Sequence, residues 1–273
     1  MDSAEVEKLI LEGRNFMHYR IADGYQSDQT KKIRQPPLVK EPVSDTRIQL
    51  PVSYEKLEIS GDFLTIINTR RSHRVYASQP LSLLQLSYLL WCTQGVRDMR
   101  GKAYATLRTV PSAGARHPFE TYLAVRSVTG LEQGYYHYLP MSHSLELLKK
   151  ENDESMRGFI AGSLHGQAWT ARAGAVFYYS MVFYRAEWRY GFNAHRTALI
   201  DAGHVTENLY LACTSLGLGG CAVAALDSDI CDSMFNLDGK EETIFYAMPV
   251  GTVRAEDEQA EKDFYAFVKE QGL

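Results

Sequence analysis

The segment "TRRSHR", residues 69–74, contains three arginines and a serine within six positions. The planar guanidinium of arginine matches the oxygens of a phosphate, and a serine hydroxyl adds another hydrogen-bond donor. A cluster this small suits one phosphate group better than a polymer. The same segment is equally typical of a solvated, charged helix end, so both interpretations stay open at this point.

Two further segments combine small residues in patterns that can bring backbone close to a ligand. "PSAGA", residues 111–115, is typical of neither a helix nor a strand, and small side chains let backbone approach a flat or charged group. "GLGGCA", residues 217–222, matches a dinucleotide fingerprint, but that motif needs a strand before it and a helix after it. Here the order is reversed. We therefore predict a helix end at Gly217 and a tight reversal at Gly219 and Gly220 that offers backbone donors.

A phosphorylated, flat heterocycle would use all three segments together. FMN is one such ligand, and the residues alone do not choose it over pyridoxal phosphate. However, a pyridoxal enzyme needs a lysine for its Schiff base, and none of the three segments contains one. His204 and Glu207 lie one helical turn apart, yet no second ligand pair follows, so we predict no metal site. Ser112 lies on no G-x-S-x-G elbow, which argues against a hydrolase.

The elements that must position these segments follow from hydrophobic spacing. We predict helices at the N-terminus, over "DFLTIINTRRS", from Ser82 to Gly95, and from Leu199 to Gly217, the last one buried. We predict strands in "FETYLAVRSV", "GYYHYLPMSHSLELLKK", "AGAVFYYSMVFY", "CAVAALD" and "TIFYAMPVG". This order indicates an α+β fold, with helices packed on a mixed, mostly antiparallel sheet.

The two ends of the chain differ from this central part. Residues 30–53 carry four prolines and no periodicity, which predicts an extended arm that wraps something, such as a second subunit. We therefore divide the chain into an N-terminal helix and arm, residues 1–59, and a main domain, residues 60–273. The acidic segment "RAEDEQAEKDFYAFVKEQ" is expected to be a terminal helix or tail.

Composition excludes several classes of protein. The formal net charge of −4 argues against a nucleic-acid-coating protein, which is usually strongly basic. No apolar run approaches the roughly 18 residues of a membrane span, and the charged start is unlike a signal peptide. The 4 cysteines form no C-x-x-C pair. Reduced thiols in a cytoplasmic protein that binds no membrane are therefore expected.

Four segments occur in an order that resembles the nitroreductase-like flavoproteins: "NTRRSHRVY", "LSYLLWCTQGV", "RTVPSAGARHPFETYLAV" and "LIDAGHVTENLYLACTSLGLGGCAVAAL". They are most similar to the SagB-type subgroup, the azoline and thiazoline dehydrogenases of peptide maturation. The resemblance covers roughly residues 60–253. It implies a homodimer with FMN at the subunit interface, and hydride transfer through flavin N5 by a ping-pong mechanism. It also implies NADH or NADPH as electron donor and a small-molecule or peptide substrate.

The resemblance assigns one group of residues to the FMN phosphate and ribityl tail. Arg70, Arg71 and Ser72 match the basic segment of the family, and Arg74 completes the pattern. Arg254, after "PVG", is expected to be a second phosphate contact.

A second group is assigned to the isoalloxazine ring. Four of its residues match the loop that lies against the ring: Pro111, Ser112, Ala113 and Gly114. Ala224 and Ala225 match the start of a strand whose N–H groups face the N5 side of the flavin. Gly220, at the predicted reversal, is grouped with them as a cofactor-binding position.

The sequence departs from the subgroup at the catalytic pair. In the peptide dehydrogenases a Lys-Tyr pair before the "AGH" helix serves proton removal, whereas here "EWRYGFNAHR" supplies Arg189 and Tyr190. Tyr190 could act as acid or base, but Arg189 keeps its proton and can only orient groups or stabilise charge. This leaves a SagB-type dehydrogenase, an NAD(P)H-dependent reductase, a non-catalytic or partner-dependent flavoprotein, and a phosphate-binding module without flavin.

Overall fold

The computed structural model of the chain describes residues 2–18 and 24–254, with Gln259, Lys262, Asp263, Ala266 and Glu270 further on. Most of the predicted C-terminal helix or tail lies outside the described residues. The helices are α1 (Ser3–Phe16), α2 (Phe63–Thr69), α3 (Leu83–Gln94), α4 (Asp153–Ser163), α5 (Phe183–Tyr190), α6 (Ala194–Ser215) and α7 (Ser228–Phe235). None of the helices in the described part of the chain is long and apolar enough to cross a membrane.

Local signals explain where the predicted helices begin and end. Ser82 caps α3 by accepting a hydrogen bond from the Gln85 amide, and the Ser82 amide donates to the Gln85 side-chain oxygen. Gly95 ends this helix, as predicted. Asp62 caps α2 in a similar way. The helix α6 begins at Ala194, before the predicted start.

The strands are β1 (Arg47–Gln49), β2 (Leu81–Ser82), β3 (Val96–Arg100), β4 (Ala105–Arg108), β5 (Phe119–Val125), β6 (Val128–Thr129), β7 (Gly134–Leu139), β8 (Ser144–Lys150), β9 (Ala175–Val182), β10 (Leu218–Gly220) and β11 (Glu242–Thr252). Seven of them form the main sheet in the order β1-β8-β7-β5-β9-β11-β10. All neighbouring pairs in this sheet are antiparallel. Parallel pairing occurs between β2 and β6, in a separate two-stranded sheet. The predicted α+β class with a mostly antiparallel sheet is therefore confirmed.

Helices cover both faces of the main sheet. Phe177 and Tyr179 of the central strand β9 point into the core shared with α3 and α6. Val176 and Tyr178 of the same strand point into the core shared with α4 and α7. Both faces are buried, which explains why this strand reads as one continuous apolar run.

Two predictions about the segment after α6 and one about the first half of α6 are wrong. The segment "CAVAALD" forms no strand, because its only ladder contact in the described residues is an isolated bridge between Val223 and Ala247. Gly219 and Gly220 do not reverse the chain but extend in β10, where they pair with β11. The reversal takes place at Gly217, whose φ of 64° follows the helix end. Leu199, predicted to be buried, is 57% exposed.

The arm lies on its own chain rather than leaving it for another subunit. The Gln29 amide donates to the Trp188 carbonyl (2.9 Å), and the Trp188 indole donates to the Ile33 carbonyl (2.9 Å). Arg185 Nε donates to the Pro37 carbonyl at 3.0 Å. The first part of the arm therefore wraps α5, which gives it a fixed course without helix or strand structure, and the arm forms β1 near its end.

A buried ionic network holds the next part of the arm. His137 lies between Glu120 and Glu146, with nitrogen–oxygen distances of 3.0 and 2.7 Å. Glu146 also accepts the amides of Val43 and Ser44 in the arm. Burial by itself would lower the pKa of His137, but hydrogen bonds to the two carboxylates and their charge outweigh it, so the pKa is raised. The network therefore holds the arm with a protonated imidazole.

Candidate functional site

The predicted phosphate residues converge on a cleft of about 630 Å³. Its lining includes Arg70 and Arg71, which follow the end of α2, and Arg254, which follows β11. Arg70 leaves the helix with a ψ of 130°, so the basic segment runs extended along the cleft. Thr214 and Gly217 at the end of α6 complete the wall.

Charge decides what this basic cleft can hold. The C-terminal ends of α2 and α6 lie at the cleft, and each helix end contributes about half a negative charge. Arg70, Arg71 and Arg254 bring three guanidinium groups to the same cleft. The cleft therefore suits an anion with several oxygens, such as a phosphate, which arginine can bind in two-point contacts.

Two residues of the basic segment do not line the cleft. The Ser72 hydroxyl lies 3.1 Å from the Tyr210 hydroxyl, and Arg74 lies over the Trp169 ring, 5.9 Å from its centre. Tyr210 also accepts the Ala222 amide at 2.7 Å. Tyr210 thus joins the basic segment to the segment that follows β10, a role that the sequence did not show.

The backbone after Ala222 offers donors, although it is not the predicted strand. Ala224 and Ala225 are exposed. Within the described chain their amides donate to no protein acceptor. These two N–H groups are therefore available to a ligand. Gly220 is different, because it is buried in β10 and its carbonyl accepts the His73 amide at 2.9 Å.

The small-residue loop is held against the middle of α6 by Asp201. Ser112 Oγ donates to Asp201 Oδ2 at 2.6 Å, and the Ala113 amide donates to both carboxylate oxygens at 3.0 and 3.1 Å. The His117 amide closes the loop on Ser112 Oγ at 2.9 Å. Burial raises the pKa of Asp201, while these hydrogen bonds oppose the rise. Pro111 is exposed at the start of the loop.

The predicted catalytic pair lies directly across this loop. A Cβ atom at Gly114 would be 2.6 Å from both Arg189 Nε and Tyr190 Oη, and the φ of this glycine is 57°. Arg189 Nη1 donates to the Tyr104 hydroxyl at 2.9 Å. The structure therefore brings the small-residue loop and the Arg-Tyr pair together, two features that the sequence places 75 residues apart.

Arg116 is a further residue of this part of the site, and the sequence did not identify it. It is 4% exposed, and its Nε donates to the Gly114 carbonyl at 3.1 Å. Its Nη2 donates to the Tyr104 carbonyl at 2.9 Å. Asp201 was missed as well. Tyr104 carried no signal, because its partner Arg189 is 85 residues away.

The basic cleft and the loop lie at different places along α6. Asp201 holds the loop and Thr214 lines the cleft, 13 positions later in the same helix. A rise of 1.5 Å per residue separates them by about 20 Å. One chain therefore does not bring its own phosphate cleft next to its own loop.

Other candidate chemistry finds no support in the described residues. No group of three or more His, Cys, Asp or Glu side chains there could hold a metal ion. His204 lies 3.9 Å from Asp201, as an exposed side chain beside a buried one. The four cysteines, all in the described part of the chain, form no disulfide.

The chain is similar to proteins of one family. The sequence profile of the nitroreductase family matches residues 67–252. A putative nitroreductase of Methanocaldococcus jannaschii, MJ1384, is 38% identical over 184 residues, which cover 67% of this chain and 86% of that protein. The trifolitoxin-processing protein TfxB of Rhizobium leguminosarum bv. trifolii is 31% identical over 133 residues, 48% of this chain and 36% of TfxB. The Escherichia coli microcin B17-processing protein McbC is 28% identical over 135 residues, 48% and 49% of the two chains.

Solved structures show the same fold. A putative nitroreductase of Ralstonia eutropha superposes with a TM-score of 0.62 at 24% identity, covering 88% of this chain and 100% of that chain. A chain of the Escherichia coli microcin synthetase McbBCD complex, solved with truncated pro-MccB17 bound, gives a TM-score of 0.57 at 20% identity. It covers 92% of each chain. The similarity to two processing proteins and this shared fold confirm the resemblance that the sequence predicted.

Proposed function

Since the chain belongs to the nitroreductase family, whose members typically bind FMN, we propose that it is an FMN-dependent oxidoreductase of the SagB type. The observation that carries this proposal is the convergence of Arg70, Arg71 and Arg254 on one cleft. These residues come from two distant parts of the sequence and match the charge of a phosphate monoester. When bound, FMN supplies hydride transfer through its N5 atom.

The residues present fit the chemistry of FMN. The basic cleft takes the phosphate, and the amides of Ala224 and Ala225, which donate to no acceptor among the described residues, are donors suited to the N5 side of the ring. Tyr210 fixes the distance between these two groups by bonding to Ser72 on one side and Ala222 on the other. The ring loop, with Gly114 at its apex, supplies backbone rather than bulky side chains.

Two copies of the chain complete each site in this proposal. The distance of about 20 Å between the basic cleft and the loop along α6 supports a homodimer in which one copy supplies the cleft and the other supplies the loop. Leu199 and Ile200, 57% and 54% exposed on the first half of α6, are candidates for the surface between the copies.

The two residues across the loop have separate roles, because Tyr190 transfers a proton and Arg189 stabilises charge. Tyr190 is the group that gives or takes a proton, because a phenol can do both. Arg189 stays protonated, so it stabilises negative charge that develops on the substrate or the ring. Oxidation of an azoline needs a base for one proton and an acceptor for one hydride. Tyr190 fills the first role without a lysine.

Flavin absorbance of the purified protein, before and after anaerobic NADPH or NADH, tests the proposal. Bands that bleach identify an NAD(P)H-dependent reductase. Bands that persist with both donors and bleach with an azoline-containing peptide identify a SagB-type dehydrogenase. A protein that stays colourless after FMN is added to it would refute an FMN enzyme.

Hybrid dimers test the composite site. Arg71→Ala removes a cleft residue, and Tyr190→Phe removes a residue of the pair. If the two regions come from different copies, random mixing of the variant chains restores about a quarter of the wild-type activity, since one site in each mixed dimer is intact. If both regions come from one copy, every site carries a substitution and mixing restores nothing.

Partner dependence is the second candidate function, and Arg189 favours it because the peptide dehydrogenases have lysine there. The McbBCD complex, in which a chain of this fold works beside other proteins, gives the same expectation for this chain. In that case the bound flavin resists both nicotinamides and free azoline peptide, and is reduced only when a partner protein is added.

A further inference from the structure

We propose that Tyr104 is the positioning residue for Arg189, and that the arm takes part in the candidate active site through Gln29. The Tyr104 hydroxyl oxygen accepts two hydrogen bonds, from Arg189 Nη1 at 2.9 Å and from Gln29 Nε2 at 2.8 Å. A phenol oxygen has room for these two donors, so its own hydrogen points away from both. Tyr104 thereby links the arm to the charged member of the catalytic pair.

Tyr104 is itself fixed by a buried group. The Arg116 guanidinium lies between two rings, 4.9 Å from the centre of Tyr104 and 5.3 Å from that of Trp188. The same guanidinium donates to the Tyr104 and Gly114 carbonyls. Tyr104 and the apex of the loop are therefore attached to one rigid, buried plane.

Repulsion between the positive charges of Arg116 and Arg189 explains why Arg189 needs the Tyr104 oxygen as an acceptor. Burial lowers the pKa of Arg116, and the positive charge of Arg189 lowers it further. The two guanidinium groups therefore repel each other across the loop. The Tyr104 hydroxyl oxygen offers Arg189 a negative partial charge and holds it near Gly114. Without this oxygen, repulsion would move Arg189 away from the loop.

The position of Tyr104 beside Arg189 depends on the position of the arm. Gln29 is held by its backbone bond to Trp188, and its side chain reaches Tyr104. Asp28, the neighbouring residue, accepts a bond from the Tyr184 hydroxyl at 3.0 Å. Tyr184 contacts the same turn of the arm but forms no hydrogen bond to Arg189, so it provides a matched control.

The kinetic test rests on the proposed function and compares Tyr104→Phe with Tyr184→Phe in the flavin-loaded protein. We expect Tyr104→Phe to lower the rate of flavin reduction by about tenfold or more, because a hydrogen bond to a charged group is lost. KM should stay unchanged. Tyr184→Phe should stay within about twofold of wild type. An equal loss in both variants would mean that general loosening of the arm is the cause, and would overturn the proposal.

The second test needs neither flavin nor substrate, so it stands if the proposed function fails. A double-mutant cycle of Tyr104→Phe and Arg189→Ala, read by urea unfolding of the apo-protein, measures the coupling of the two side chains. We expect Tyr104→Phe to lower the free energy of unfolding far less in the Arg189→Ala background than in wild type. Additive effects would overturn the proposal even if the protein proves to be a flavoenzyme.

Discussion

Replacing Gly114 with alanine tests whether the catalytic pair lies across the small-residue loop. The φ of 57° costs an alanine about 1–2 kcal/mol relative to glycine. The new Cβ would also lie 2.6 Å from Arg189 Nε and Tyr190 Oη. Both atoms belong to long side chains, so the pair moves while the backbone stays. For a chain of this size the backbone cost lowers the melting temperature by roughly 2–8 °C.

Activity should fall by more than the melting temperature indicates. A displacement of about 1 Å in a catalytic group can cost about a hundredfold in rate, and Gly114→Ala moves both members of the pair. FMN should still bind through the basic cleft, which lies about 20 Å along α6 from the loop of the same chain. Thermal unfolding, flavin content and the rate of flavin reduction measure these three effects separately.

Gly158→Ala is the matched control for this substitution. Gly158 is exposed in α4, and an added Cβ would meet nothing within 4 Å. We expect this variant to be more stable by about 0.5–1 kcal/mol, since alanine favours a helix over glycine. A Gly114→Ala protein with wild-type turnover and melting temperature would refute the packing of the pair across the loop. Loss of flavin with an unchanged rate per bound flavin would refute it as well.

Two further predictions concern charge. Arg71→Ala should weaken FMN binding about tenfold to a hundredfold, because it removes a charge-assisted contact, whereas Arg74→Ala should weaken it far less in the same flavin fluorescence titration. The stability that His137 contributes should be full below its unfolded pKa of about 6.5 and lost as pH rises through its raised folded pKa. His137→Gln should therefore flatten the alkaline fall in unfolding free energy, measured in urea from pH 5 to 9, and an unchanged fall would contradict a charged imidazole between Glu120 and Glu146.

The sequence predicted those parts of the fold that depend on local signals. The capping of α3 by Ser82 and Gly95 needs only neighbouring residues, and the apolar run of β9 needs only its own composition. "CAVAALD" has the composition of a strand, yet a strand forms only where a neighbour offers a ladder. β10 pairs with residues 250–252 of β11, and "CAVAALD" adds a single bridge to that strand, from Val223 to Ala247. Pairing is a property of the whole sheet, so composition could not predict it.

The same distinction between local and distant signals applies to the residues of the candidate site. Arg70 and Arg71 were visible as a cluster because they are adjacent, whereas Tyr104 gains its role only from contacts with Gln29 and Arg189, 75 and 85 residues away. The course of the arm was hidden for the same reason. Prolines show that a segment is extended, but the hydrogen bonds that place it come from α5, far along the chain.

Gly114 has a role within the chain that the sequence did not show. The sequence indicates that small residues let backbone touch a flavin, and the structure adds a requirement within the chain itself, the room for Arg189 and Tyr190. This requirement bears on the replacement of lysine by arginine in the pair. The Arg189 guanidinium donates to Tyr104 while its carbon lies 5.6 Å from the centre of the Tyr190 ring. A planar group can do both, whereas an ammonium is a single point of charge. In the proposed function Arg189 is therefore a fixed positive charge, and proton transfer falls to Tyr190 alone.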